Sequence, residues 1–170
     1  MLSEKMETML NKQINREFYA AYLYLSMEAY FESMNLQGFA RWMRAQTQEE
    51  VVHAMKIFDQ VSERGGTVRL EALDAPPVEW ESPRAAFEAA YGHEQKVTGW
   101  INGLVDAARS ESDHASEIFL QWYVTEQVEE EQSTDSVLQQ LKLIGDSSQA
   151  LLMLDRELGQ RVFTPPPAKV

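Results

Sequence analysis

The stretch QEEVVHAM, residues 48–55, places Glu49 and Glu50 side by side and His53 three positions after the second. It lies within a run from Phe39 to Arg64 that contains neither Gly nor Pro. Such a run predicts one continuous helix, and residues three apart share a face of it. On that face the apolar stripe reads Phe39, Met43, Ile57, Val61, with Glu50 and His53 in its middle. A carboxylate and an imidazole therefore occupy positions that helical periodicity assigns to the core.

Four more helical segments flank this one. The first runs from Ser3, a good N-cap, to Ser33, and the second from Gln37 to Arg64, stopping at Gly65-Gly66. The third opens at Ser82-Pro83 and runs to Ser110; Ser suits the N-cap and Pro the first helical position. The fourth spans Asp113 to Ile144, before Gly145, and a short fifth spans Ser147 to Leu158. No convincing strand competes, so the fold class is an all-α bundle of four long helices with a short fifth.

Three connections, SMNLQ, SESD and GDS, are short enough to join antiparallel neighbours. The connection from Gly65 to Glu81 is long. About 17 extended residues reach roughly 55 Å, whereas a helix of about 27 residues measures roughly 40 Å. This segment can travel the full length of the bundle and start the third helix parallel to the second. Its apolar residues Val68, Leu70, Leu73, Val78 and Trp80 are expected to pack, making it an ordered crossover. Residues 1–160 are expected to form one domain. Residues 161–170, including FTPPPAKV, are expected to form an extended, exposed tail.

The interruption at Glu50 and His53 recurs in the other three long helices. Glu17 breaks the stripe Leu10, Ile14, Ala21, Tyr24, Phe31, and Glu94 breaks the stripe Phe87, Tyr91, Ile101, Val105. In the fourth helix Gln127 and Glu130 break Phe119, Tyr123, Val137, Leu141. Counted from the expected helix starts, the four glutamates lie roughly 17 to 24 Å along, near mid-length, so they meet at one level. Four ionised and unpaired carboxylates in a low-dielectric core would be strongly destabilising. Shared protons or bound cations are the two remedies. Two divalent ions would neutralise the four charges, and carboxylate oxygens with one imidazole suit iron or manganese.

Composition narrows the alternatives. The chain has 170 residues, enough for one domain with a substantial core, and no cysteine, which removes disulfides, thiolate metal sites and a cysteine nucleophile. A formal net charge of −12 would repel phosphate backbones, so a nucleic-acid partner is not expected. No apolar run approaches the roughly 18 residues of a membrane span. The N-terminal MLSEKMETML lacks the pattern of a secretory signal, and a cytoplasmic location is expected. Three functions stay open on these residues: storage or oxidation of a metal ion such as iron or manganese, an interaction module with proton-sharing carboxylates, and a di-metal oxygenase. The bulky Tyr24, Phe87, Tyr91 and Tyr123 around the glutamates leave an oxygenase little room for an organic substrate.

With these residues placed, the chain resembles the non-haem prokaryotic ferritins over nearly its whole length. The resemblance is carried by NREFYAAYLYLSM, QEEVVHAM, ERGG, the His93-Glu94 pair and FLQWYVTEQVEEE. It implies a ferritin-like bundle and a ferroxidase centre with Glu17, Glu50 and His53 at one iron. Glu50 would bridge to a second iron held by Glu94 and Glu130, with Gln127 close by. It also implies a third iron position at Glu49, Glu126 and Glu129, and Tyr24 as an electron donor or hydrogen-bond partner. Gln127-x-x-Glu130 replaces a second Glu-x-x-His, so the two metals should be unequal. Val52 stands where bacterioferritins carry a haem-ligating methionine, so no haem is expected. The implied partners are Fe2+, O2 or H2O2, and further copies of the chain in a shell of 24 subunits. His93 and His114 are expected at the surface, and Trp122 as packing beside the site.

Overall fold

The computed structural model describes residues 2–164. It contains α1 (Glu4–Ser33), α2 (Gln37–Glu63), α3 (Pro83–Ser110), α4 (His114–Ile144) and α5 (Ser148–Leu158), with no strand among the described residues. Four of the starts are capped as the sequence anticipates. Side-chain oxygens of Ser3, Ser82, Asp113 and Ser147 accept the backbone N–H of Met6, Ala85, Ser116 and Ala150.

Helix α2 is capped from elsewhere. Its own N-cap residue, Leu36, supplies no side-chain hydrogen bond. Instead Asp155 Oδ1, on α5, accepts the N–H of Gly38 at 2.7 Å and of Phe39 at 3.0 Å. Glycine is required there, because a Cβ at residue 38 would sit 1.5 Å from the Asp155 carbonyl oxygen. The negative side chain also faces the positive end of the α2 dipole. This contact fixes α5 against the start of α2.

Helix α1 packs along α2 and α3 along α4, and α1 also meets α3. The crossover lies along α1, held through its backbone. Asn11 donates to Thr67 O at 2.9 Å and accepts from Arg69 N at 2.6 Å. Asn15 donates to Arg69 O at 3.0 Å and accepts from Glu71 N at 2.8 Å. The crossover is ordered, but only part of its apolar set packs as the sequence suggests. Val68 and Trp80 are half-buried, Trp80 lying edge-on to Tyr30, whereas Leu70, Leu73 and Val78 are exposed. The two asparagines take the place of a hydrophobic seam. Expected residues 165–170 of the tail lie outside the described residues.

The core forms two apolar clusters. One gathers Phe31, Phe39, Met43 and Phe87 with Leu141, Leu154 and Leu158. The other gathers Met6, Leu10, Ile14, Ile57, Val61, Ile101 and Leu120. In every long helix the interrupting polar residue falls in the chain between the residues given to one cluster and those given to the other. The polar layer is thus sealed by hydrocarbon on both sides. His93 departs from its expected surface position. It is 7% exposed, tilted against Tyr19 and Trp100, because its place on α3 turns it toward α1, and burial pushes its pKa down to about 4. His114 is exposed, as expected.

Candidate metal centre

The polar layer brings together residues that the sequence separates by more than a hundred positions. Glu17 (α1), Glu50 and His53 (α2), Glu94 (α3), and Gln127 and Glu130 (α4) are all buried, none more than 5% exposed. Single ligand atoms of Glu17, Glu50 and His53 lie within 4.8 Å of one another. Those of His53, Glu126 and Glu130 form a second such group. Both groups use the same imidazole, which therefore stands at the hinge between the buried layer and its surface side.

The hydrogen bonds show which oxygens are committed and which are free. Gln13, one turn before Glu17, donates to Glu17 Oε1 at 2.7 Å, and Gln46, one turn before Glu50, donates to Glu130 Oε2 at 2.8 Å. Glu17 Oε2 and Glu50 Oε2 are buried without any hydrogen-bond donor. His53 Nδ1 lies 3.4 Å from Glu50 Oε2. Two orphaned carboxylate oxygens beside an imidazole nitrogen, in a site without sulfur, are a donor set for a hard or borderline divalent cation. Tyr123 donates to the backbone carbonyl of His53 at 2.7 Å and stiffens the turn that carries the imidazole.

Glu94 belongs to neither close group. Its Oε1 accepts the hydroxyl of Tyr24, and its Oε2 accepts from Gln127 Nε2 at 3.2 Å. The orientation of that amide is dictated from outside. Thr98 gives its one hydroxyl proton to Glu131 at 2.5 Å, so its oxygen must accept from Gln127 Nε2 at 3.3 Å. Glu94 is thereby satisfied by donors, while Glu17 and Glu50 are not. The two halves of the centre are unequal in their partners.

Electrostatics follow from this geometry. Burial, then the charge of neighbouring Glu50, pushes Glu17 far above the usual carboxylate range. Burial, then Glu94 and Glu130, does the same to Glu50. Glu94 is raised to about 8 by burial and by Glu130, against the opposing hydrogen bonds from Tyr24 and Gln127. Tyr24 itself is held well above its ordinary value by burial and by Glu94. Carboxyls kept protonated by burial and by one another's charge are poised to release protons to an arriving cation.

A cavity of about 540 Å³ leads from His53 and Glu130 outward, past Glu49, Glu126 and Glu129. Glu49, one residue around α2 from Glu50, lines this cavity. Glu126 is half-buried and Glu129 exposed. Burial raises Glu126, and raises Glu49 to about 7 although Arg161 opposes it. Trp122 meets His53 edge-on at 5.4 Å and carries Lys56 over its ring, which fits a packing role. Sequence reasoning did not anticipate Gln13, Gln46, Thr98, Glu131 or Arg161 here. Gln13 and Gln46 left a signal, each standing one turn before a stripe glutamate; Arg161 left none.

A helical-bundle core with carboxylates from all four long helices and one imidazole defines a carboxylate-rich candidate metal-binding protein. The ferritin-like domain family matches residues 7–144. A bacterial non-heme ferritin from Bacteroides fragilis is 40% identical over 161 residues, covering 95% of this chain and all of the relative. One from Staphylococcus aureus is 37% identical over 163 residues, covering 96% of this chain and 98% of the relative. The open-pore ferritin of the archaeon Archaeoglobus fulgidus superposes with a TM-score of 0.95 at 57% identity, covering 95% of this chain and 100% of that one. The chain belongs to the ferritin family, among the prokaryotic non-haem ferritins that store iron. No helix among the described residues is long and apolar enough to cross a membrane.

Proposed function

We propose that this chain is a ferroxidase subunit whose buried layer binds two Fe2+ ions as substrate. Glu17, Glu50 and His53 hold the first, and Glu50, Glu94 and Glu130 the second, with Gln127 steering Glu94. The observation that carries this reading is the pair of unpartnered, buried oxygens, Glu17 Oε2 and Glu50 Oε2, beside His53. Two carboxyls buried side by side cost stability unless they share a proton or a cation takes those lone pairs.

Each Fe2+ gives up one electron, and one O2 takes both together with two protons to leave as H2O2. H2O2 serves as the alternative oxidant, taking two electrons and two protons to give two waters. Loading releases protons from Glu17, Glu50 and Glu94, and the resulting carboxylates stabilise the higher charge of Fe3+. Tyr24, hydrogen-bonded to Glu94, is a phenol placed to lend an electron or a proton. A third iron at Glu49, Glu126 and Glu129 lies on the way out through the cavity. Ferric product then mineralises inside a homo-oligomeric shell, for which 24 subunits of a single domain (residues 1–160) with a C-terminal tail are proposed, in the cytoplasm and without haem.

Anaerobic loading with Fe2+ followed by rapid mixing with O2 tests this. The reading expects about two to three irons per chain to oxidise in a fast phase, followed by slow mineral growth. Oxidation at the rate of free Fe2+, or a protein that stays monomeric on size-exclusion chromatography, would refute it.

A further inference from the structure

The cavity beside the centre already contains a cation. Arg161, just beyond α5, reaches back across the molecule and places Nη2 2.6 Å from Oε2 of Glu49, 112 positions earlier in the chain. Its guanidinium lies 4.4 Å above the ring of Trp42, which is buried beneath it. Glu49, Glu126, Glu129, His53 and Arg161 line the same cavity. The fit is incomplete, however. Nη1 of Arg161 is buried and has no hydrogen-bond partner, so one arm of the fork is desolvated without compensation. A guanidinium seated this way is held by one carboxylate and one aromatic face, and it can be displaced.

We propose that Arg161 is a built-in competitor for the third iron position, neutralising Glu49 until a divalent cation takes that carboxylate together with Glu126 and Glu129. Resting on the third position proposed above, this assigns the C-terminal segment a role in metal occupancy. With the position empty, the guanidinium offsets the repulsion between Glu49 and the facing Glu126, Glu129 and Glu130. When a cation arrives, Glu49 exchanges one positive partner for another, Arg161 lifts from Trp42, and its unpartnered Nη1 regains water. The third position is thereby weaker than the two buried ones and fills after them. No bond is made or broken; the exchange is one ion pair for another.

Zn2+, which does not oxidise, is the probe. The assembled full-length protein is titrated calorimetrically, and zinc-soaked crystals are read by anomalous diffraction, for the wild type, Arg161→Gln and Lys56→Gln. Lys56 sits over Trp122 beside the cavity and serves as the control for simple loss of a positive charge. Arg161→Gln should tighten the third zinc by roughly fivefold, the scale of a half-exposed ion pair, and leave the first two unchanged. Lys56→Gln should tighten it less. Binding of the third zinc should also change the indole fluorescence in the wild type, and the part of this change due to release of Arg161 should be lost in Trp42→Phe, leaving only the response of Trp122 on the same cavity. Equal third-site affinity in wild type and Arg161→Gln overturns the competition, as does equal tightening by Lys56→Gln. An anomalous map with no third peak in any variant refutes the third position itself, and the competition with it.

Discussion

The phenol of Tyr24 donates its hydrogen bond to Oε1 of Glu94, seventy residues away, at a point where α1 and α3 meet and no water reaches. Both groups are fully buried and both titrate well above their ordinary values, so the phenol keeps its proton and donates it in a hydrogen bond to the carboxyl. This one contact ties the tyrosine to the half of the centre whose carboxylate is already satisfied. Under the proposed function, Glu94 is the ligand whose two oxygens both already accept hydrogen bonds.

Replacing Tyr24 with Phe removes that donor and nothing else in volume. Leaving a buried carboxyl oxygen unpaired should lower the stability of the metal-free protein by about 1–3 kcal/mol, read by thermal unfolding. An outer partner of a metal ligand typically matters by about tenfold. The fast oxidation phase should slow by about that factor, while the number of Fe2+ ions bound anaerobically stays the same. A variant as fast as wild type would remove Tyr24 from the account.

The raised carboxyls link stability to pH. Glu94 has a folded-state pKa of about 8 against an ordinary value of 4.5, so the folded chain holds a proton that the unfolded chain has lost. Its contribution is neutral below about pH 4.5 and becomes increasingly destabilising up to about pH 8. Glu17 and Glu50 act in the same direction. The metal-free protein should therefore lose on the order of a few kcal/mol per chain between pH 5 and 8. Saturating Zn2+ should flatten the slope, and Glu94→Gln should reduce it. Thermal unfolding across that range measures all three.

At the other end of the bundle, Asp155→Ala takes away the acceptor for Gly38 and Phe39 and should cost roughly 1–2 kcal/mol, the usual worth of a helix cap. The loss should be local, seen as faster amide exchange in Ser148–Leu158 while the four long helices stay protected. Gly38→Ala should be worse, since its methyl group would overlap the Asp155 backbone.

Much of this was legible before any coordinate. Gly65, Ser82-Pro83, Gly145 and Ser147 marked the helix ends to within a residue, because caps and breakers act locally. Glu17, Glu50, Glu94 and Glu130 were legible because an acid on an apolar stripe violates the period, and four violations at one depth have few explanations. The rest depends on who faces whom. His93 looks like a surface residue from its polar neighbours, yet α1 covers it. Leu70, Leu73 and Val78 look like packing residues, yet Asn11 and Asn15 hold that segment by its backbone. Arg161 follows a helix of unknown direction, and only the docking of α5 by Asp155 turns the chain back toward Glu49.

The most direct test is the fast phase of Fe2+ oxidation in Glu50→Ala, measured by stopped-flow absorbance after anaerobic loading. Glu50 is the carboxylate that the two proposed iron positions share, so its loss should dismantle both. The account predicts that the fast phase disappears and that oxidation falls to the slow rate of mineral growth, with the shell still assembled on size-exclusion chromatography. A fast phase of unchanged rate and amplitude in that variant would contradict it.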